Sequence, residues 1–146
     1  MNDEETTAPC RVLLVDGDAA SEAAVRDTFA DYKIDNELQV VRDGSTALAL
    51  LRRQGRFAAM ARPDLVLINM VLPGLDGHHL LWGIRHDPDL ADIVVVALTG
   101  SAADQRGLRE QHLPVDACLR QPVSLDGLAQ ILRDGDRLGI VVHRKR

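Results

Sequence analysis

The chain has 146 residues, a net charge of −5 and two cysteines. That length suits one compact domain with a real core and is too short for an attached output domain of ordinary size. The acidic balance excludes a general pull toward nucleic acid or an anionic membrane, so neither is expected as a partner.

In chain order, residues 1–10 read as a tail. Its Met1-Asn2-Asp3-Glu4-Glu5 start is acidic and leads into no long apolar stretch, so a signal peptide or membrane span is not expected and the expected location is cytoplasmic. Arg11 to Val15 is a short β-rich run. Asp18 then stands as the N-cap of a helix over Ala19 to Tyr32, with Val25, Phe29 and Tyr32 on one face. Glu37 to Val41 is a second strand, closed by Asp43-Gly44, and Ser45 is expected to cap a helix carrying Ala47, Leu50 and Leu51 that stops by Gly55. Arg56 to Ala61 extends that helix or forms a loop; the pattern decides for neither.

Leu65 to Ile68 is continuously apolar, as a strand covered on both faces must be. A third helix spans Gly77 to His86 with Leu80, Leu81 and Ile84 inward, and Ile93 to Leu98 is another buried strand. Ala102 to Gln111 reads as a polar helix, Ala117 to Arg120 as a short strand and Ser124 to Arg137 as a last helix. Residues 11–137 form the domain, and 138–146 are a tail whose His143-Arg144-Lys145-Arg146 end is basic and read as solvated, because no other basic cluster supports a nucleic-acid contact. Five strands alternating with five helices argue for an α/β sheet, since parallel neighbours need helical crossovers.

The segment Pro63-Asp64-Leu65-Val66-Leu67-Ile68-Asn69-Met70-Val71-Leu72-Pro73-Gly74-Leu75-Asp76-Gly77 resembles the phosphoacceptor strand and loop of bacterial two-component response regulator receiver domains. Three further motifs in the family's order extend the resemblance over about Arg11 to Arg133: Val12-Leu13-Leu14-Val15-Asp16-Gly17-Asp18, Val94-Val95-Val96-Ala97-Leu98-Thr99-Gly100-Ser101 and Cys118-Leu119-Arg120-Gln121-Pro122-Val123. Asp43-Gly44, the Pro73-Gly74-Leu75-Asp76-Gly77 turn and His86-Asp87-Pro88-Asp89-Leu90 are similar to the stand-alone receivers that work beside phytochrome-type kinases. The resemblance implies a flavodoxin-like parallel sheet of five strands in the order two-one-three-four-five, with helices on both faces. In such sheets a site forms beyond the carboxyl ends of the strands, where Asp16, Asn69, Thr99 and Gln121 should converge. Cys10 and Cys118 then lie three strands apart, roughly 14 Å at strand spacing, beyond the about 7 Å a disulfide tolerates. Both are read as free thiols.

Set against the family pattern, the departures are coherent. The family's phosphoacceptor aspartate is Asn69 here, and a carboxamide is too poor a nucleophile to give an acyl phosphate. Of the two adjacent acids that hold Mg²⁺ in the family, Asp16 is present and Gly17 stands at the second, so Mg²⁺ binding is expected to be weak or absent and no other cofactor is expected. Thr99 keeps the switch hydroxyl, Gln121 replaces the lysine, and Cys118 replaces the switch aromatic. A neutral Gln121 can hydrogen-bond an amide such as Asn69 at lower desolvation cost than an ammonium with fewer anions around it.

Each residue has a plainer reading too. Asp18 is first an N-cap, Asp16 and Thr99 can serve nearby backbone, and Gly74 and Gly77 can serve turn geometry alone. His78 and His79 point about 100 degrees apart on a helix, which argues against one shared metal. Trp82 lies off the Leu80, Leu81 and Ile84 stripe and offers a contact surface. No dinucleotide fingerprint, P-loop or nucleophile elbow is present, so no enzyme is expected. The expectation is a pseudo-receiver that signals through protein contacts, with a histidine kinase or downstream regulator as partner. Pairing of two copies is expected through Asp104, Arg106, Arg109, Asp126, Arg133 and Asp134. Two alternatives stand beside it: a small-molecule sensor whose ligand fills the vacated pocket, and an inactivated variant of an ordinary phosphotransfer receiver, against which Gly17 and Gln121 argue.

Overall fold

The computed structural model describes residues 10–34, 36–70, 77–100, 103, 106, 107, 110, 114–121 and 142–144. Its elements are β1 (Cys10–Val15), α1 (Ala19–Asp31), β2 (Tyr32–Ile34), β3 (Asn36–Val41), α2 (Gly44–Leu51), β4 (Leu65–Asn69), α3 (Gly77–His86), β5 (Val94–Thr99), β6 (Ala117–Arg120) and β7 (Val142–Arg144). The main sheet runs β3-β1-β4-β5-β6, all parallel. Counted among these five strands alone, that is the expected two-one-three-four-five order. Of the expected Ala102–Gln111 helix, Ala103, Arg106, Gly107 and Glu110 are described and all are helical. The expected helix over Ser124 to Arg137 lies outside the described residues.

Strand alternation divides the core between the two faces of the sheet. Val12 and Leu14 of β1, Leu65 and Leu67 of β4 and Val94, Val96 and Leu98 of β5 pack with Val25 of α1. Leu13, Val15, Val66, Ile68, Val95 and Ala97 face the other way, onto Leu50 and Leu51 of α2 and Leu80, Leu81 and Ile84 of α3. Because both faces are covered, β4 and β5 are apolar at every position up to their carboxyl ends. Two glycines let the α3 side close. A Cβ on Gly77 would lie 2.6 Å from Met70 Cα, and one on Gly83 would lie 3.3 Å from the Leu48 side chain of α2. Gly77 is thus required by close approach to Met70, a different reason from the turn geometry expected of it.

Several expectations are corrected. The first helix ends at Asp31, and Tyr32 opens β2, which pairs antiparallel with β7. Three residues of the expected C-terminal tail, Val142 to Arg144, therefore belong to a second small sheet. The hydrogen bonds of that pairing carry no hydrophobic period a sequence could show. Asp43, not Ser45, caps α2: its carboxylate accepts from Thr46 N at 2.7 Å and from Thr46 Oγ1 at 3.1 Å, which fixes the helix start at Gly44. The helix stops at Leu51, before Gly55. Arg53 takes φ 54, its N–H bonds Leu50 O, and the Gln54 N–H reaches back to Ala49 O, the two bonds of a Schellman ending. The ambiguous stretch after it opens with a 3-10 turn over Gly55–Phe57, and Phe57 is buried.

A partly buried arginine ties the α3 side to the sheet. The Arg85 guanidinium donates to Pro114 O at 2.7 Å, to Ala91 O and Ile93 O at 2.8 Å each, and to Asp116 Oδ2 at 2.8 Å. Asp116 Oδ2 also accepts from Val95 N at 2.7 Å, which joins the entry of β6 to β5.

Candidate functional site

β1 and β4 are in register from Val12↔Leu65 to Val15↔Ile68. One step further along the same ladder brings Asp16 beside Asn69. Alternation puts both on the α1 face, following Leu14 and Leu67, at the carboxyl edge where α/β sheets place their ligands. Asp16 is 0% exposed, and its N–H donates to Val41 O at 3.0 Å, which anchors its backbone to β3.

The Asp16 carboxylate is held from two sides. Its Oδ1 accepts from the Asn69 side-chain amide at 3.1 Å and from Asp18 N at 2.9 Å. Its Oδ2 is buried and has no hydrogen-bond partner among the described residues. A carboxylate oxygen removed from water in that way is costly unless a donor or cation reaches it. Gly17, beside it, is exposed and contributes no side chain.

Asp18 caps α1, accepting Ala20 N at 3.2 Å and Glu22 N on its main-chain oxygen at 3.0 Å. Its second carboxylate oxygen accepts from Ser21 Oγ at 3.1 Å, and Ser21 Oγ in turn accepts from Gln121 Nε2 at 2.8 Å. Gln121 therefore turns its amide to the first turn of α1, where the sequence had suggested Asn69 as its partner. Asn69 and Gln121 still belong to one polar chain, which runs Asn69, Asp16, Asp18, Ser21, Gln121. Ser21 is the member that sequence reading missed. Its three-residue spacing from Asp18 is the local signal of a cap, but the bond to Gln121, a hundred residues on, has no local signal.

Thr99, 5% exposed, ends β5, and its Oγ1 reaches Leu119 O at 3.5 Å, a long and weak contact. Its main-chain oxygen accepts from Gln121 N at 2.7 Å, which fixes the exit of β6 against β5. Cys118 is in no disulfide and is partly buried against the α2 and α3 side of the core, in register with Ala97. Asp16, Asn69, Thr99 and Gln121 thus sit at the carboxyl ends of four neighbouring strands. Of the expected pairing residues, Arg106 is exposed; Asp104, Arg109, Asp126, Arg133 and Asp134 lie outside the described residues, as does the Pro73 to Asp76 part of the turn.

Residues 12–133 match the model of the response regulator receiver domain. The chain belongs to that family. The receiver is 33% identical over 130 residues to Response regulator Rcp1 of Synechocystis sp., spanning 89% of this chain and 88% of Rcp1. The solved Mn²⁺-bound form of Rcp1 matches it with a TM-score of 0.73 at 31% identity, covering 94% of this chain and all of that one, 100%. The phosphorylated cyanobacterial phytochrome response regulator RcpA matches with a TM-score of 0.72 at 32% identity, covering 87% and 91%. The fold order agrees with these neighbours, and the chain is a receiver of signal transduction. Among the described residues no helix is long and apolar enough to cross a membrane.

Proposed function

We propose that this receiver passes its signal through protein contacts and takes no phosphoryl group at Asn69. The observation that carries the reading is the Asn69 amide donating to Asp16 Oδ1 at 3.1 Å. At the place where a receiver needs an oxyanion nucleophile, the group present is an N–H donor already engaged with the neighbouring acid. Its nitrogen lone pair is delocalised into the amide and does not attack phosphorus.

The family implies a hard divalent cation beside the acceptor, and these residues do not fit one. Such ions take several oxygen ligands, carboxylates foremost. Among the described residues Asp16 is the one carboxylate bonded to Asn69, two N–H donors occupy its Oδ1, and Gly17 supplies no side-chain ligand. Asp16 Oδ2 remains as a single acidic oxygen. Weak Mg²⁺ binding follows, and with it the loss of the group that would neutralise transferred charge. The engagement of Gln121 with Ser21 supports a native arrangement rather than one damaged position, because two separate departures, Asn69 and Gln121, meet in one hydrogen-bonded chain.

Similarity to RcpA, a phytochrome response regulator, supports a place beside a phytochrome-type photoreceptor, with a histidine kinase or a downstream regulator as contact; a second copy of the chain as a further partner is part of the same proposal and rests on the charged residues of the sequence alone. The domain has no catalytic activity of its own in this reading, and it works in the cytoplasm. Incubation with acetyl phosphate and Mg²⁺ is expected to leave the intact mass unchanged. A stoichiometric, hydroxylamine-labile gain of about 80 Da, one phosphoryl group on a carboxylate, would overturn the reading.

A further inference from the structure

Three arginines line one cavity at the end of the sheet opposite the strand-end site. The α2–β4 and α3–β5 connections lie at the amino ends of the strands, and between them is a pocket of about 330 Å³ bordered by Arg52, Arg53, Arg62, Asp87 and Asp89, with Leu51 and Leu90 also lining it. Both leucines are 3% exposed, so the cavity has an apolar floor against which charges are less screened than in open water.

The three guanidiniums are not equally committed. Arg62 is held in place, donating to Asp89 O at 2.9 Å and to the Asp92 carboxylate. Arg52 meets Asp87 through Nε at 3.4 Å, too long for a good hydrogen bond, so its two terminal nitrogens stay available. Arg53 has no acidic partner among the described residues, yet it holds φ 54, a conformation in which glycine is the unstrained choice. A side chain kept in a strained backbone position that another residue fills more cheaply is a sign of a role for that side chain.

Three features oppose an anion: the Asp89 carboxylate, which lines the pocket beside three arginines, and two others that are partly met. The last carbonyls of α2 are satisfied by Arg52, Arg53 and Gln54 N–H groups, which blunts the negative end of the helix. The Asp87 carboxylate accepts from Asp89 N at 3.0 Å and faces Arg52 at 3.4 Å, so its charge is met only in part.

We propose that Arg52, Arg53 and Arg62 form a binding pocket for an oxyanion, a phosphoryl or carboxylate group carried by a small molecule. Arg62 supplies a fixed wall, and Arg52 and Arg53 close on the ligand with paired N–H donors suited to planar or tetrahedral oxyanions. The site is separate from the strand-end network and does not rest on the phosphorylation reading.

The test is isothermal titration calorimetry of the full chain at constant ionic strength with sodium phosphate in one arm and sodium succinate in the other. The wild type is expected to show saturable binding of at least one; phosphate alone assigns a phosphoryl ligand and succinate alone a carboxylate. Arg53→Gly is the decisive variant, because it removes the side chain while relieving the backbone, so it should unfold at a higher temperature than the wild type and bind about tenfold more weakly or worse. Arg120→Ala, an equal loss of charge at an exposed position at the other end of the sheet, should bind as the wild type does. No saturation of either anion by about 10 mM, or unchanged binding in Arg53→Gly, overturns the proposal.

Discussion

Asn69 donates its side-chain amide to Asp16 Oδ1 across 3.1 Å, and the β1–β4 register makes the two residues neighbours. Exchange of that donor for an acceptor sets two carboxylates against each other in a buried place. Asn69→Asp is therefore expected to lower stability at neutral pH by about 1–3 kcal/mol. The variant should also gain a Mg²⁺-dependent rise in melting temperature that the wild type lacks, because two facing carboxylates are a better site for a hard cation. Addition of Gly17→Asp and Gln121→Lys to it should restore measurable phosphoryl acceptance. Thermal unfolding with and without Mg²⁺, followed by intact mass after acetyl phosphate, reads all three. Efficient phosphorylation of the single variant would show that Gly17 and Gln121 are not disabling.

The chain from Asp16 to Gln121 passes through Ser21, so the Ser21 hydroxyl and the Gln121 amide should be energetically coupled. Ser21→Ala and Gln121→Ala are each expected to cost about 1 kcal/mol in urea unfolding, and the double variant less than their sum. Strict additivity would show that the 2.8 Å contact contributes nothing.

Gly77→Ala should be among the most damaging small substitutions in the domain. The added methyl meets the Met70 backbone, not a pliable side chain, so α3 must move away from the end of β4. A loss of about 2–3 kcal/mol is expected, against a gain of about 1 kcal/mol from helix propensity alone. A variant more stable than the wild type in denaturant titration would contradict the close approach.

The parts of the fold that repeat with a period could be read in the sequence, and those that depend on one long-range bond could not. The apolar runs of β4 and β5, the Leu80, Leu81 and Ile84 stripe and the Asp18 cap all announce themselves within a few residues. The start of α2 was misplaced because Asp43 and Ser45 are both good cap residues, and only the Asp43 to Thr46 geometry separates them. Its stop by Gly55 holds, but the left-handed residue that closes it is Arg53, in a position that glycine usually takes. At the site, the family resemblance placed Asp16 and Asn69 together at the strand ends, whereas the partner of Gln121 lies on another element a hundred residues away. Arg85 carries no local signal, and nothing near it in sequence reveals the four acceptors it serves.

Stability should depend on pH through Glu22. The Arg26 side chain hydrogen-bonds its carboxylate at 3.0 Å and, with Arg42 at 2.8 Å, holds its pKa below the ordinary 4.5 against the opposing effect of burial. A carboxylate whose folded pKa is depressed adds stability that is present above its unfolded pKa and disappears as pH falls through the folded one. The melting-temperature difference between the wild type and Glu22→Gln should accordingly be flat at neutral pH and shrink below the ordinary carboxylate range. Both arginines are half-exposed, so added salt should reduce the difference as well. A difference that grows on acidification would reverse the assignment.

Arg85 offers the sharpest stability prediction, because its side chain is only 16% exposed and its bonds converge on three carbonyls and a carboxylate. Arg85→Ala leaves the carbonyls of Ala91, Ile93 and Pro114 without their donor and Asp116 without its cation. The expected cost is about 3–5 kcal/mol. Arg85→Lys should recover little of it, since an ammonium is a compact charge and lacks the planar fork that reaches three carbonyls and a carboxylate together. Asp116→Asn should cost less than Arg85→Ala, as the amide oxygen can still accept from Val95 N while the charge is lost. Urea titration with the slope compared between variants measures all three. If Arg85→Lys matched the wild type within about 0.5 kcal/mol, the geometry of the fork would not matter and the clamp would reduce to a single ion pair.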